Sequence, residues 1–289
     1  MKILVTGANG FMGHGIIKEL SESGNEIVVS DFTDFTYGYK NVSSVAGNLF
    51  EIENPFEHFG KPDVLVHLAW RDGFKHASEN HILDLPKHYE FLKKMVCGGV
   101  KKLVVLGSMH EVGFHEGSIN ENTPCNPLSL YGIAKNALRQ MTELLVKNTE
   151  TRLQWVRGFY IVDNTVKGCS IFSKIMQAAA DGKKTFPFTS GINQFDFLDF
   201  NVFCKQVAAV VLNDTVFGII NACCGKPETL ASRVERFIKE NSLDIKLEYG
   251  SFPDRPYDSL AIWGDNRKIR KIMEGNNGRE KNRNRYCFV

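Results

Sequence analysis

The chain has 289 residues, enough for one large α/β domain or a domain with a smaller lobe, and its 43% hydrophobic and 24% charged residues are ordinary globular values. A formal net charge of +2 argues against nucleic acid or a membrane surface as partner. Seven scattered cysteines without C-x-x-C spacing, no signal-peptide pattern and no apolar run of roughly 18 residues predict a reduced, cytoplasmic protein with neither disulfide framework, zinc site nor transmembrane helix.

In chain order, residues 2–6 (KILVT) read as a buried strand, followed by a helix with Met12, Ile16, Ile17 and Leu20 on one face. Residues 26–30 (EIVVS), 63–68 (DVLVHL), 102–107 (KLVVLG) and 154–158 read as further strands, with helical stretches near 79–97 and 131–147. Continuous apolar strands alternating with helices indicate a parallel sheet covered on both faces, so the fold class is α/β, a doubly wound Rossmann-type sheet. After about residue 160 the pattern changes. Residues 182–200, rich in Phe, Thr, Gly and Lys, read as turns and short strands, 228–241 as a helix, and 254–257 as a turn. The expected organisation is a dinucleotide-binding part at 1–160, a partly interleaved, smaller substrate-binding lobe at 161–274, and a polar tail at 275–289. That basic tail (GNNGREKNRNRYCFV) reads as a solvated, poorly ordered terminus; the rival reading is a nucleic-acid or phosphate-binding tail.

Gly7-Ala-Asn-Gly10-Phe-Met-Gly13 follows the first strand and opens the first helix. The first glycine allows a tight turn, the second a close approach of backbone to a pyrophosphate, and the third close packing of helix on strand. The helix N-terminus offers free N–H groups and the positive end of a dipole. Three glycines alone are a weak signal; their place between strand and helix makes it strong. Asp31 follows the second strand, where a carboxylate accepts hydrogen bonds from the adenosine ribose hydroxyls and repels a 2′-phosphate. No arginine stands beside it, so NAD is expected in preference to NADP.

Tyr131-Gly-Ile-Ala-Lys135 opens an amphipathic helix, and i, i+4 spacing puts phenol and ammonium on one face. A nearby positive charge would lower the phenol's ordinary pKa of about 10 and suit it to proton exchange with a sugar hydroxyl or ketone. Ser108 ends the fourth strand, on the side where doubly wound sheets bind ligands, and can hydrogen-bond the reacting oxygen. His67, His110 and His115 fit no compact metal-ligand set, and no metal is expected. Phe172, Phe186, Phe188, Phe195 and Phe197 read as core, with base stacking as the alternative.

On VTGANGFMG at 5–13, HLAW at 67–70, GSMHEVG at 107–113, NPLSLYGIAK at 126–135, FDFLDFNVF at 195–203 and FPDRPYDS at 252–259, the chain resembles the NAD-dependent epimerase/dehydratase family, the extended short-chain dehydrogenases, over roughly residues 1–272. The resemblance implies oxidation or reduction of a nucleotide-linked sugar by a homodimer packed through the helices near 79–97 and 131–147. It implies Ser108, Tyr131 and Lys135 as the catalytic triad. Gly7, Gly10, Phe11, Met12, Gly13 and Asp31 would hold the dinucleotide together with Tyr131 and Lys135. Asn48 and Leu49 would flank the adenine, and Leu68 and Ala69 would lie along the ribose and nicotinamide. Arg255 would bind the diphosphate of the nucleotide-sugar, a task suited to a guanidinium that bonds two oxygens at once.

The chain departs from the family pattern at three places. Val112-Gly113 stands where Tyr-Gly is frequent. Tyr160, a substrate-contact position, replaces a frequent Asn. Met109 and His110 follow Ser108 where dehydratases carry Asp-Glu, which argues against a 4,6-dehydratase. The function expected is reduction of a 4-keto-sugar with Tyr131 as acid/base. The alternatives are a 4-epimerase using bound NAD and an inactive dinucleotide-binding regulator, the latter opposed by the intact Ser108, Tyr131 and Lys135.

Overall fold

The computed structural model describes residues 1–166, 168, 170–253 and 259–277. In chain order its elements are β1 (Lys2–Thr6), α1 (Phe11–Ser21), β2 (Glu26–Ser30), β3 (Val42–Ser44), α2 (Pro55–His58), β4 (Val64–His67), α3 (Asn80–Gly98), β5 (Lys102–Ser108), β6 (Gly117–Ile119), α4 (Leu130–Val146), β7 (Arg152–Gly158) and β8 (Tyr160–Val162). There follow α5 (Ile171–Ala180), β9 (Thr185–Pro187), β10 (Gln194–Phe195), β11 (Phe197–Asp199), α6 (Phe200–Leu212), β12 (Gly218–Ala222), β13 (Glu228–Thr229), α7 (Leu230–Glu240), β14 (Lys246–Glu248), β15 (Ala261–Gly264) and α8 (Arg267–Asn277).

Among the described residues seven strands form one all-parallel sheet in the order β12-β7-β5-β4-β1-β2-β3. Side chains alternate across a strand, so β1 feeds two cores at once. Ile3 and Val5 join Ile16 and Ile17 of α1 and Val207 and Val210 of α6, whereas Leu4 joins Phe91 and Leu92 of α3 and Leu138 of α4. This two-faced burial is the doubly wound Rossmann arrangement expected from the apolar runs.

Two strands of this sheet are absent from the sequence reading. β3 is short and only partly buried, and its residues Val42-Ser-Ser carry little apolar signal. β12 and the covering helix α6 come from beyond residue 160, so the later part of the chain completes one edge of the sheet. The remaining strands make small sheets: β13-β10-β15-β6, β11-β8 and β14-β9. Buried Asp196, between β10 and β11, ties these to the main sheet by accepting the amides of Cys224 and Gly225 at 2.8 Å and of Gly264 at 3.1 Å. The helix expected at 228–241 begins two residues later, behind β13, with Thr229 capping it through the Ser232 amide. The polar stretch from 275 starts inside α8, which runs through Asn277; the remainder of the expected tail and the turn at 254–257 lie outside the described residues.

Candidate active site

The glycine motif forms the turn from β1 into α1. Gly7 has φ +72°, and a Cβ there would stand 2.6 Å from the Ala69 nitrogen, so this turn packs directly on the end of β4. A Cβ on Gly13 would lie 2.1 Å from the Ala8 carbonyl oxygen. The motif therefore requires bare backbone where helix, turn and strand meet, and it brings Leu68 and Ala69 beside Gly7. Gly10 caps α1 without any side-chain bond, which leaves the first turn to a ligand. Met12 is partly buried against the core, and Phe11 stands at the helix start, its ring 4.8 Å from that of Phe200.

Asp31 reaches back to this turn. Its carboxylate accepts the Asn9 amide and the Phe32 amide, both at 2.8 Å. A carboxylate offers about four acceptor positions, so two are left for a ribose diol. Asn9 Oδ1 is buried and has no hydrogen-bond partner among the described residues, an acceptor left over inside the loop. Turn, carboxylate and orphaned acceptor fit a dinucleotide. Gly47 donates to the Asp31 carbonyl at 2.9 Å and so draws the 47–49 segment to the same sheet end. There Asn48 is engaged in its own turn, with Glu51 and the Phe50 amide, and Leu49 is buried with Phe50 and Phe91.

Ser108 lies at the end of β5 and caps a 3-10 turn, Met109–Glu111. Its hydroxyl accepts the His110 amide at 3.2 Å. Its own amide donates to Glu111 Oε1 at 2.7 Å, the reciprocal half of a capping box. Glu111 is fully buried and accepts two further bonds, from Trp155 Nε1 at 2.8 Å and Arg157 Nε at 3.1 Å. Its carboxylate thus faces the core and anchors the Ser108 turn, and the charge is matched by Arg157, itself buried.

Ser129 starts α4 by capping the Gly132 amide at 3.1 Å, which delivers Tyr131 to the first turn of the helix. The Tyr131 phenol stands beside Ser108. Lys135 follows one turn later, buried, with Nζ donating to the Leu106 carbonyl at 2.7 Å and lying 3.9 Å above the centre of the Trp70 ring. The three residues singled out in the sequence meet at one sheet end, beside the glycine turn. Their electrostatics differ from the expectation. Burial pushes the Tyr131 phenol up to about 12; the nearby Ser108 side chain acts downward and the Glu111 charge upward. Burial brings the Lys135 ammonium down to about 7, with Glu111 acting upward. Desolvation outweighs the help that a neighbouring cation was expected to give the phenolate.

Several residues of this site have no assigned part in it in the sequence reading, although HLAW at 67–70 is one of the segments that carry the family resemblance. Trp70 stacks on His88 with ring centres 4.5 Å apart, and its indole N–H donates to His81 Nδ1 at 3.0 Å. Behind it, Thr6, His67 and His88 form a buried hydrogen-bonded chain with links of 2.8 and 2.9 Å. Burial holds both imidazoles below their ordinary range, His88 at about 3, with the Lys135 charge adding to the effect. His67, His110 and His115 do not converge, and no group of three His, Cys, Asp or Glu among the described residues is placed to hold a metal ion. Tyr160 lies on β8, its ring 4.4 Å from Phe195; Phe172, Phe188, Phe195 and Phe197 are buried in the core, and Phe186 packs against it. Arg255 lies outside the described residues. No described helix is long and apolar enough to cross a membrane.

Comparison with known proteins agrees with this geometry. The model of the NAD dependent epimerase/dehydratase family matches residues 3–223. The dTDP-6-deoxy-L-talose 4-dehydrogenase (NAD(+)) of Aggregatibacter actinomycetemcomitans is 39% identical over 269 residues, 91% of this chain and 99% of that protein. Among solved structures, the UDP-N-acetylglucosamine 4-epimerase of Methanobrevibacter ruminantium superposes with a TM-score of 0.81 at 18% identity, covering 94% of this chain and 91% of that one. The UDP-glucuronic acid 4-epimerase of Bacillus cereus, in complex with UDP-glucuronic acid and NAD, gives 0.78 at 18% identity, covering 95% and 93%. At such identity these two speak for the fold. With its family model spanning most of the chain and its glycine turn, Asp31 and Tyr131 at one sheet end, the chain belongs to the NAD dependent epimerase/dehydratase family, as an enzyme with NAD as cofactor.

Proposed function

We propose that this enzyme interconverts the 4-hydroxyl and 4-keto forms of a dTDP-linked 6-deoxyhexose, with NAD(H) as the redox partner and reduction of the 4-keto-sugar as one direction. The observation that carries this reading is the 39% identity, along nearly the whole of both chains, to a dTDP-6-deoxy-L-talose 4-dehydrogenase. The nicotinamide supplies the hydride chemistry. The protein moves the proton. In oxidation Tyr131, as the phenolate, would take the 4-hydroxyl proton while the bound nicotinamide would supply the hydride acceptor for C4; in reduction the Tyr131 phenol would give its proton to the 4-keto oxygen while the nicotinamide would supply the hydride. Ser108 hydrogen-bonds the reacting oxygen alongside Tyr131. Lys135 contributes, with Tyr131, to the cofactor contact, and deprotonation of a phenol standing near 12 is eased when a cation faces it. Asp31 bonds the adenosine ribose and opposes a 2′-phosphate, giving NAD over NADP.

Glu111 points into the core and Met109 carries no proton, so a 4,6-elimination lacks an acid–base pair of carboxylates here. Residues 161–274 supply the substrate-binding lobe in this reading, and Arg255 the diphosphate contact. The exposed apolar side chains Ile82 and Leu83 on α3 and Ile133 and Leu144 on α4 support a homodimer packed through these two helices. Stoichiometry tests the function. The enzyme should form one NADH for each dTDP-6-deoxy-L-talose oxidised and consume one for each 4-keto-sugar reduced. Equilibration of two sugar alcohols with no net change in added NADH would make it an epimerase.

A further inference from the structure

Two imidazoles from separate segments wall one side of Tyr131. His76 lies flat on the Tyr131 ring, centroids 5.1 Å apart and planes 10° apart, and its carbonyl accepts the Tyr131 amide at 3.0 Å. His110 meets the His76 ring at 4.4 Å and the Tyr131 ring at 6.1 Å. Its backbone is fixed twice. The amide donates to Ser108 Oγ, and the carbonyl sits so close to Gly132 that a Cβ there would stand 2.3 Å from it. The His110 ring in turn lies 6.5 Å from that of Tyr160, which continues to Phe195. His76, His110 and Tyr160 are each only partly buried, whereas Phe195 is buried. One arc therefore runs from hydrogen-bonding rings beside the phenol to an aromatic wall, and its two histidines are tied through their backbones to Ser108 Oγ and to the Tyr131 amide.

We infer that this arc selects the sugar, by reading the two carbons that flank the reacting one. The inference rests on the proposed 4-oxidoreduction of a 6-deoxyhexose. In such a sugar C4 stands between C3, which bears a hydroxyl, and C5, which bears a methyl group. With O4 at Ser108 and Tyr131, His76 and His110 bond the C3 hydroxyl, since an imidazole both donates and accepts. The Tyr160 face takes the methyl group, where a hydroxymethyl would leave a polar group against an aromatic wall. His76, His110 and Tyr160 are thus specificity-determining residues at the substrate, distinct from the groups that move the proton.

The test is calorimetry on the NADH-loaded enzyme, where a sugar alcohol binds without reacting. The ligands are dTDP-6-deoxy-L-talose and its 3-deoxy and 6-hydroxy counterparts. His110→Ala should weaken the parent sugar about tenfold, the worth of one hydrogen bond, and leave the 3-deoxy sugar unchanged. His76→Phe, which keeps the stack on Tyr131, should act in the same selective way. Tyr160→Ala should narrow the preference for methyl over hydroxymethyl about tenfold. Unaltered NADH affinity in each variant marks an intact fold. Equal weakening of parent and 3-deoxy sugars, or no weakening of either, overturns the inference alone. A wild-type enzyme that binds NADH but none of these sugars overturns the proposed substrate and the inference with it.

Discussion

The two sides of the crevice at the sheet end are made of different material. The side formed by β1, α1 and β2 is mostly backbone: Gly7 and Gly13 leave no room for a Cβ, and Asp31 holds the turn by its amides. The side formed by β4, β5 and α4 is made of side chains. Ser108, Glu111, Tyr131, Lys135 and Trp70 arrive from three segments and are held by hydrogen bonds, a cation–π contact and burial. A backbone site is tuned by what is absent, and a side-chain site by what surrounds it. The second should accordingly respond more steeply to single substitutions and to pH.

The sharpest contrast should come from Tyr131→Phe. It should retain NADH affinity, measured by calorimetry, while kcat drops about 10²–10⁴-fold, the usual contribution of a positioned acid–base group. Near-normal turnover would mean that another group moves the proton. Glu111→Gln comes next. It leaves Arg157 buried without its carboxylate and turns one of three donors against an amide NH₂, so urea denaturation should report a loss of about 3–5 kcal/mol. Unchanged stability would show that the Ser108 turn does not depend on this anchor.

Between the two sides lies the Thr6–His67–His88 chain. Both histidines are held neutral in the folded protein, whereas in the unfolded chain they take up protons near pH 6.5. The unfolded state binds more protons below that point, so stability falls as pH drops from about 6.5 toward the folded His88 value of about 3. His88→Gln should reduce the stability difference between pH 7 and pH 5 by about 2 kcal/mol in urea titrations; an unchanged difference would locate the acid sensitivity elsewhere. The backbone side should show the smallest effect. Asp31→Asn keeps acceptors for the Asn9 or Phe32 amide but removes the charge, so the preference for NADH over NADPH should narrow about tenfold in paired titrations. A preference that stays the same would put discrimination in other residues.

This contrast also governs what could be read from the sequence. Glycine spacing, the apolar strands and the i, i+4 pair of Tyr131 and Lys135 are local patterns, and each specifies backbone or helix geometry directly. Ser108 is legible because a strand end in this sheet faces the crevice. Glu111 stands in the same segment, yet its partners Trp155 and Arg157 lie on β7, 44 and 46 residues away, and no local pattern announces them. Trp70 and His88 meet because β4 and α3 pack together, and the raised Tyr131 value depends on that burial. β12 is silent in the sequence for a similar reason: five residues at the sheet edge, Gly218–Ala222, hold their place by pairing with β7 and by the cover that α6 and α8 provide.

In the proposed reaction hydride leaves C4 of a dTDP-6-deoxyhexose and ends on the cofactor. The direct measurement uses dTDP-6-deoxy-L-talose carrying deuterium at C4, incubated with enzyme and NAD⁺, with mass spectrometry of sugar and nucleotide after turnover. The account predicts one deuterium in each NADH recovered and a 4-keto-sugar that has lost it. Deuterium retained at C4 in a sugar that is converted, with no labelled NADH, would contradict it.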